Sequence, residues 1–564
     1  MPYRQFLMAC SALVGMSLLV SGNADAQSAS DGDKIQNLER QTELLQKQLK
    51  EIKDELARSR KKAAEQQPAQ QQRAQQPYEA VAAEVPVAPG PVKAKAAPAV
   101  LPGVKVTLGG FLAAETVWRQ RNEVTDVGSN FGAIPYPFSP LFNESEFHGS
   151  ARQSRISVKV EGNIDPYQKL WGYYETDFLG VGNTSNYNQS NSWAPRLRQA
   201  FFAYDNSFSG FHFLAGQAWS LLTQNQVGIT PLKENIPLTI DASYVVGFNY
   251  TRNWQLRFVE QFNDAIAAGV SVEAPATIFA ASTATAPLGT GGAITSGGTV
   301  VNGLLVNFSN TGGSPFLTGA TIATDTAPDI IEKVAWDPGW GHYEVFGVQR
   351  FFTDNVFNCS PLPCVVGSTT VLGSASEKTT FGSGIGGSVL IPIIPKFLEF
   401  TGNALYGKGV GRYGAGQLAD VTIASEGGLN PLTGASGMVG LVAHPWEGLD
   451  VYGYAGIEQV NASFFDVGTT LFGYGNPGFS NVGCTVTTSS SFGGTTPANC
   501  IANNHRLSDL TAGFWQNVYK GQFGRVAVGA EYEYIKRESF NGVGGTVSTY
   551  DNVVFTSLRW YPAY

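Results

Sequence analysis

The sequence predicts an all-β transmembrane barrel of about 16 antiparallel strands, preceded by an N-terminal α-helical coiled coil. Three observations carry this. Short alternating segments recur through residues 103–564, and no long helical pattern lies among them to cover their apolar faces. In Arg525–Ile535 (RVAVGAEYEYI), Val526, Val528, Ala530, Tyr532 and Tyr534 share one face, while Arg525, Gly529, Glu531 and Glu533 share the other. A strand has a side-chain period of two, so such faces are satisfied by lipid outside and water inside. The composition agrees: 65 Gly and 12% aromatics with only 15% charged residues suit turns, bulges and aromatic girdles. Finally, residues 1–26 read as an export signal, with Arg4, an apolar core Phe6–Val20 and Ala24-Asp25-Ala26 before Gln27. Beyond it no apolar run reaches the ~18 residues of a membrane helix.

Residues 31–60 carry heptads. Ile35, Thr42, Leu49 and Leu56 hold one core position, and Leu38, Leu45, Ile52 and Ser59 hold the other. A narrow stripe at alternating spacings of three and four predicts a coiled coil, with Ile35, Leu38, Leu45, Leu49, Ile52 and Leu56 as oligomerisation contacts. A homo-oligomer follows, because a coiled coil needs partners. Residues 63–102 are rich in Gln, Ala and Pro, from Pro68 to Pro102, and predict an extended linker rather than a folded plug.

The barrel begins near Val104. Arg155–Glu161 gives a clean split, with Ile156, Val158 and Val160 facing out and Arg155, Ser157, Lys159 and Glu161 facing in. Asn163-Ile164-Asp165-Pro166 is a tight turn, and the next strand places Lys169, Trp171, Tyr173, Glu175 and Asp177 on one face. Further strands are expected at APRLRQAFFAYD, FHFLAGQAWS, SYVVGFNYTR and NWQLRFVEQF. Residues 264–328 break the rhythm, and read as a long external loop, folded into the mouth or holding one or two poorly marked strands. Alternation resumes at DIIEKVAWD and ends with NVVFTSLRWYPAY.

A pore selects by width and by charged rings. The candidate lumen cations are Arg152, Arg155, Lys159, Arg196, Arg198, Arg252, Arg257, Arg350 and Arg412. In RLRQ, alternation puts Arg196 and Arg198 on one face, and a charge facing lipid costs roughly 2–4 kcal/mol at the midplane. These cations either form an anion-attracting ladder or pair with lumen acids, chiefly Glu161, Glu175 and Asp177, to stiffen the wall. An arginine wall facing an acidic wall would satisfy both and set up a transverse field.

Other chemistries find little support. The formal charge of −8 argues against a nucleic-acid partner. Five histidines are scattered with no metal or triad spacing, so neither catalysis, a metal site nor a cofactor is expected. The four cysteines left after the signal fall in two close pairs, Cys359 with Cys364 and Cys484 with Cys500, expected as loop disulfides.

The layout of coil, linker and barrel resembles the trimeric DcaP-like outer-membrane porins. So do VKVTLGGFLAAE, RLRQAFFAYD, LAGQAWS, PDIIEKVAWD and GKGVGRYG. The resemblance implies a trimeric diffusion channel of sixteen strands in the outer membrane, with its coil in the periplasm and a preference for small anionic solutes such as dicarboxylates. The RLRQ arginines and Arg350 carry over as lumen residues only. The chain departs from the family at its end, with Tyr564 last and Pro562 close by. An envelope tether anchored by its barrel, and a sugar channel lined by aromatics, are the alternatives.

Overall fold

The chain separates into two units, Met1–Ala96 and Ala97–Tyr564. The structure, a computed structural model, describes residues 103–180, 192–280, 321–358, 375–486 and 500–562, short pieces between 282 and 370, and Glu43, Lys47 and Lys50. The signal, the coil contacts and the linker lie outside the described residues. So do Cys359 and Cys364, the first of the two expected disulfides.

Sixteen strands form the wall: β1 Val104–Arg119, β2 Arg155–Asn163, β3 Gln168–Asp177, β4 Arg196–Asn206, β5 Phe211–Trp219, β6 Arg252–Asn263, β7 Ile266–Glu273 and β8 Asp329–Trp336. They continue as β9 His342–Asn358, β10 Ala375–Ile394, β11 Leu398–Lys408, β12 Thr433–Trp446, β13 Leu449–Val460, β14 Asn504–Gly521, β15 Gly524–Ser539 and β16 Ser548–Tyr561. Each strand pairs antiparallel with the next, and β1 closes the barrel on β16, with Leu112 opposite Trp560 and Arg119 opposite Val553. Closure leaves no sheet edge to satisfy in lipid. A short strand, Glu146–Ser150, pairs with the far half of β1, so the strand ending in β2 is interrupted at Ala151–Ser154.

Alternation sorts the side chains as a barrel requires. On β16, Tyr550, Val554, Leu558 and Trp560 are exposed, whereas Asp551, Val553, Phe555 and Ser557 are buried inside. Connections 164–167, 264–265, 447–448 and 522–523 are tight, whereas 120–145, 220–251, 274–328 and 461–503 are long and lie at the other end. Val104 and Tyr561 both sit at the tight-turn end. Exposed Tyr167, Phe208, Trp340, Phe397, Trp446 and Phe523 ring that end, as an interfacial girdle would.

The interior departs from the expectation of a simple water-filled lumen. Connection 220–251 turns inward and packs as protein core. Val245, Val246, Phe248 and Ile240 are buried against Met438, Tyr452, Leu507 and Phe555 of the wall. Leu221, Leu222 and Ile229 pack on Ile331, Phe346 and Leu405. The expected strand SYVVGFNYTR is therefore a correction: its apolar run lies inside the barrel, and only Arg252 begins a strand. Its place in the count is taken by β7, in the segment where the sequence rhythm breaks.

The inward connection runs hard against the wall at glycines. A Cβ on Gly456 would sit 1.6 Å from the Val246 carbonyl oxygen, and Gly247, at φ +86°, would place one 2.1 Å from that of Gly437. Only glycine permits this approach. Gly456→Val is expected to displace the connection, destabilise the barrel by roughly 1–3 kcal/mol and widen the passage. Unfolding midpoints and single-channel conductance measure this, and an unchanged conductance would contradict the packing described.

Candidate functional site

The lumen is shaped by how connection 220–251 is held. Its backbone N–H groups donate to carboxylates that the wall strands aim inward. Leu221 donates to Glu273 at 2.9 Å and Asn225 to Glu344 at 3.0 Å. Ile240 and Asp241 donate to the two oxygens of Glu531 at 2.9 and 2.8 Å. Val246 donates to Asp509 at 3.2 Å and Gly247 to Glu458 at 2.8 Å. Lys333 Nζ, fully buried, donates to the Thr223 carbonyl at 2.7 Å and to Glu344 at 2.9 Å. Such bonds answer two requirements at once: an irregular backbone away from water needs acceptors, and a buried carboxylate needs donors. Asp241, on the connection itself, accepts from the N–H of Ser129 at 3.1 Å, and burial pushes its carboxyl above the usual range.

Opposite this filled side lies an arginine network. Glu175 on β3 faces Arg198 at 2.6 Å and Arg155 at 3.7 Å. Asp177 faces Arg196 at 2.7 Å and Arg198 at 2.9 Å. Arg196 and Arg198 are not brought there by plain alternation. Glu175 pairs with Gln199 but Thr176 pairs with Leu197, so Arg198 is the extra residue of a β-bulge. The bulge turns Leu197 outward and keeps Arg196, Arg198 and Gln199 off the lipid face.

The other predicted positions divide. Arg152 pairs with Asp126 at 3.0 Å beside the interruption in the wall. Lys159 bonds Glu161 at 2.8 Å, and Glu161 also lies near Lys169 and Lys105, toward the tight-turn end. Arg257 donates to Gln255 at 3.0 Å and to the Trp219 carbonyl. Arg350 and Arg412 meet at Asp329, each at 3.2 Å, and Arg350 also reaches Asp420 at 2.7 Å. Arg412 stands on an inward turn of connection 409–432 rather than on a strand. Arg252 differs from these. Its Nε and Nη1 are buried without a hydrogen-bond partner among the described residues, and its guanidinium carbon lies 4.9 Å from the Trp219 ring centroid.

Among the described residues, two cavities share the arm Ile236–Leu238 of the inward connection. One of 470 Å³ is lined by Arg155, Arg198, Arg525 and Arg559, with Trp219 and Tyr244 beside them and Glu175, Asp241 and Asp450 also on its wall. The second, of 180 Å³, is lined by Glu399, Asp450 and His444. Ile236, Pro237 and Leu238 line both, so this arm of the inward connection divides them. Leu238 is held by its N–H to the Tyr454 hydroxyl at 3.1 Å and by its carbonyl from Trp515 Nε1 at 2.7 Å. Arg559, paired with Glu115 at 2.7 Å, was missed in the sequence, although Leu558 and Trp560 flank it with outward apolar residues.

Of the two expected disulfides, Cys484 and Cys500 form one within connection 461–503. The bond expected between Cys359 and Cys364 is not among the described contacts, because both cysteines fall outside the described residues.

No family model and no curated relative matches the sequence. Solved structures do. The crystal structure of the outer membrane channel DcaP of Acinetobacter baumannii superposes with a TM-score of 0.52 at 15% identity, covering 81% of this chain and 97% of that one. The barrel has a DcaP-like porin fold. An anion-selective porin from Comamonas acidovorans aligns at 10% identity with a TM-score of 0.40, over 81% of this chain and 99% of its own. OmpT, an outer membrane protein of Vibrio cholerae, aligns in its trimer form with the same TM-score, identity and coverages. Within this DcaP-like fold, the arginines and carboxylates described above are the chain's own.

Glu175 holds two guanidiniums, so its removal leaves buried positive charge uncompensated. Glu175→Gln is expected to lower stability by about 3 kcal/mol, read from denaturant unfolding of the purified barrel. A loss under about 1 kcal/mol, the range of an exposed pair, would show that the network is solvent-screened.

Proposed function

We propose that this chain is an outer-membrane porin of the DcaP-like kind, a passive channel for small anionic solutes, dicarboxylates among them. The observation that carries the reading is the 470 Å³ cavity with four guanidiniums on its wall. Across the dividing arm, Glu399 lines the smaller cavity, and Asp450 lines both. Cations on one side and acids on the other set a field across the passage, which orients a charged solute without holding it tightly. The solute moves down its gradient and no bond is made or broken. Exposed apolar strands meet outer-membrane lipid, and the tight-turn end, with both barrel termini, faces the periplasm. The coil of residues 31–60 then lies in the periplasm and supports a homotrimer.

Bilayer recordings under a salt gradient test the sign of selectivity. The native protein is expected to give an anion-selective reversal potential. Arg525→Ala, which removes one of those four guanidiniums, should cut the anion-to-cation permeability ratio by a factor of about two or more without loss of folding. Asp450→Asn should move it the other way. A cation-selective native channel would overturn the proposal.

A further inference from the structure

Glu533 on β15 is fully buried, and neither of its carboxyl oxygens has a hydrogen-bond partner among the described residues. Its neighbours make this unusual. Asp241 of the inward connection, Glu531 beside it on β15 and Asp509 on β14 act on it with like charge, and Arg119 of β1 acts on it with opposite charge. Arg119 is already engaged, with Glu146 at 3.2 Å and Glu123 at 3.9 Å. Asp551 on β16 stands at the edge of the group, accepting from the N–H of Arg121 at 3.0 Å with its other oxygen unpartnered.

The carboxylates of this group are not equivalent. Glu531 takes two N–H groups of the connection and the Tyr452 hydroxyl at 2.7 Å. Asp509 takes the Val246 N–H and the Thr511 hydroxyl at 2.8 Å. Asp241 takes the N–H groups of Ser129 and Ser243. Donors of this kind offset part of the cost of ionising a buried carboxylate, and Glu533 has none among the described residues. No three acidic, His or Cys side chains converge closely enough to hold a metal ion among the described residues. A proton is therefore what can neutralise Glu533.

We propose that Glu533 is a proton-operated latch: protonated, it lets connection 220–251 sit against β14 and β15, and ionised, it repels Asp241 and loosens the connection from the wall. Asp241 is the member that can move, because the other carboxylates stand on wall strands. The inference rests on the channel reading, since the latch governs the width of the same passage. Burial also pushes Glu123 up to about 8, on the other side of Arg119. Carboxyls that are protonated when folded and ionised when unfolded contribute stability that falls as pH rises above the ordinary carboxyl range of about 4. The latch therefore opens toward alkaline pH.

The test compares native protein, Glu533→Gln and the control Glu447→Gln, an exposed carboxylate in the tight turn 447–448, from about pH 6 to about pH 10, by single-channel conductance and by thermal unfolding. Native protein and the control should gain conductance and lose melting temperature as pH rises. Glu533→Gln should keep its neutral-pH conductance to the top of the range and lose less stability. Identical pH profiles for native protein and Glu533→Gln would overturn the latch. So would suppression of the alkaline change by added calcium, which would make the group a cation site. Absence of conductance at every pH would instead count against the channel reading, and the melting series would still decide the latch.

Discussion

Carboxylates of the barrel wall accept backbone N–H groups from connection 220–251, and the shape of the lumen depends on that exchange. Neither partner is comfortable alone. An irregular backbone inside the barrel has no ladder to join, and a buried carboxylate without donors is expensive to ionise. Glu273, Glu344, Glu458, Asp509 and Glu531 come from five different strands, so the connection is tied along its length rather than at one point. Between the ties, apolar residues such as Val246 and Phe248 pack on the wall as a soluble core would. The arm Ile236–Leu238 is thereby fixed between two cavities, the larger carrying four arginines among its lining and the smaller none.

The wall makes its own accommodations. Closure and lipid exposure impose a strict period of two, yet charge must gather on the lumen side wherever the pore needs it. At Arg198 the chain inserts one residue and re-phases β4, which concentrates three polar side chains inside while Leu197 turns out. At Gly456 the wall, and at Gly247 the connection, gives up a side chain altogether so that backbone can lie against backbone. Arg196 and Arg198 are thus both structural and electrostatic. They tie β4 to β3 through Glu175 and Asp177, and Arg155 joins them at Glu175.

The strands were legible in the sequence because alternation is enforced by lipid on one side. Arg155–Glu161 and Arg525–Ile535 have the faces that their pattern predicts. What failed was SYVVGFNYTR. A continuous apolar run reads alike whether it is a buried strand or a loop packed inside a barrel, and Val245, Val246 and Phe248 are buried for the second reason. β7 was hidden for the converse reason: its Ala, Gly and Ser residues give alternation little contrast. Glu531 and Glu533 were readable as a charged inward face, but their roles were not. Whether a carboxylate finds a backbone N–H, an arginine or nothing is settled by chain folded in from hundreds of residues away.

The inward connection is the central claim, and one measurement tests it directly: the single-channel conductance of a barrel in which residues 224–247 are replaced by a short Gly/Ser turn. If the connection occupies the lumen as described, the shortened barrel conducts severalfold more current than the native protein at the same salt concentration. A conductance equal to the native value would mean that the connection does not define the passage, and the account would fail at its base.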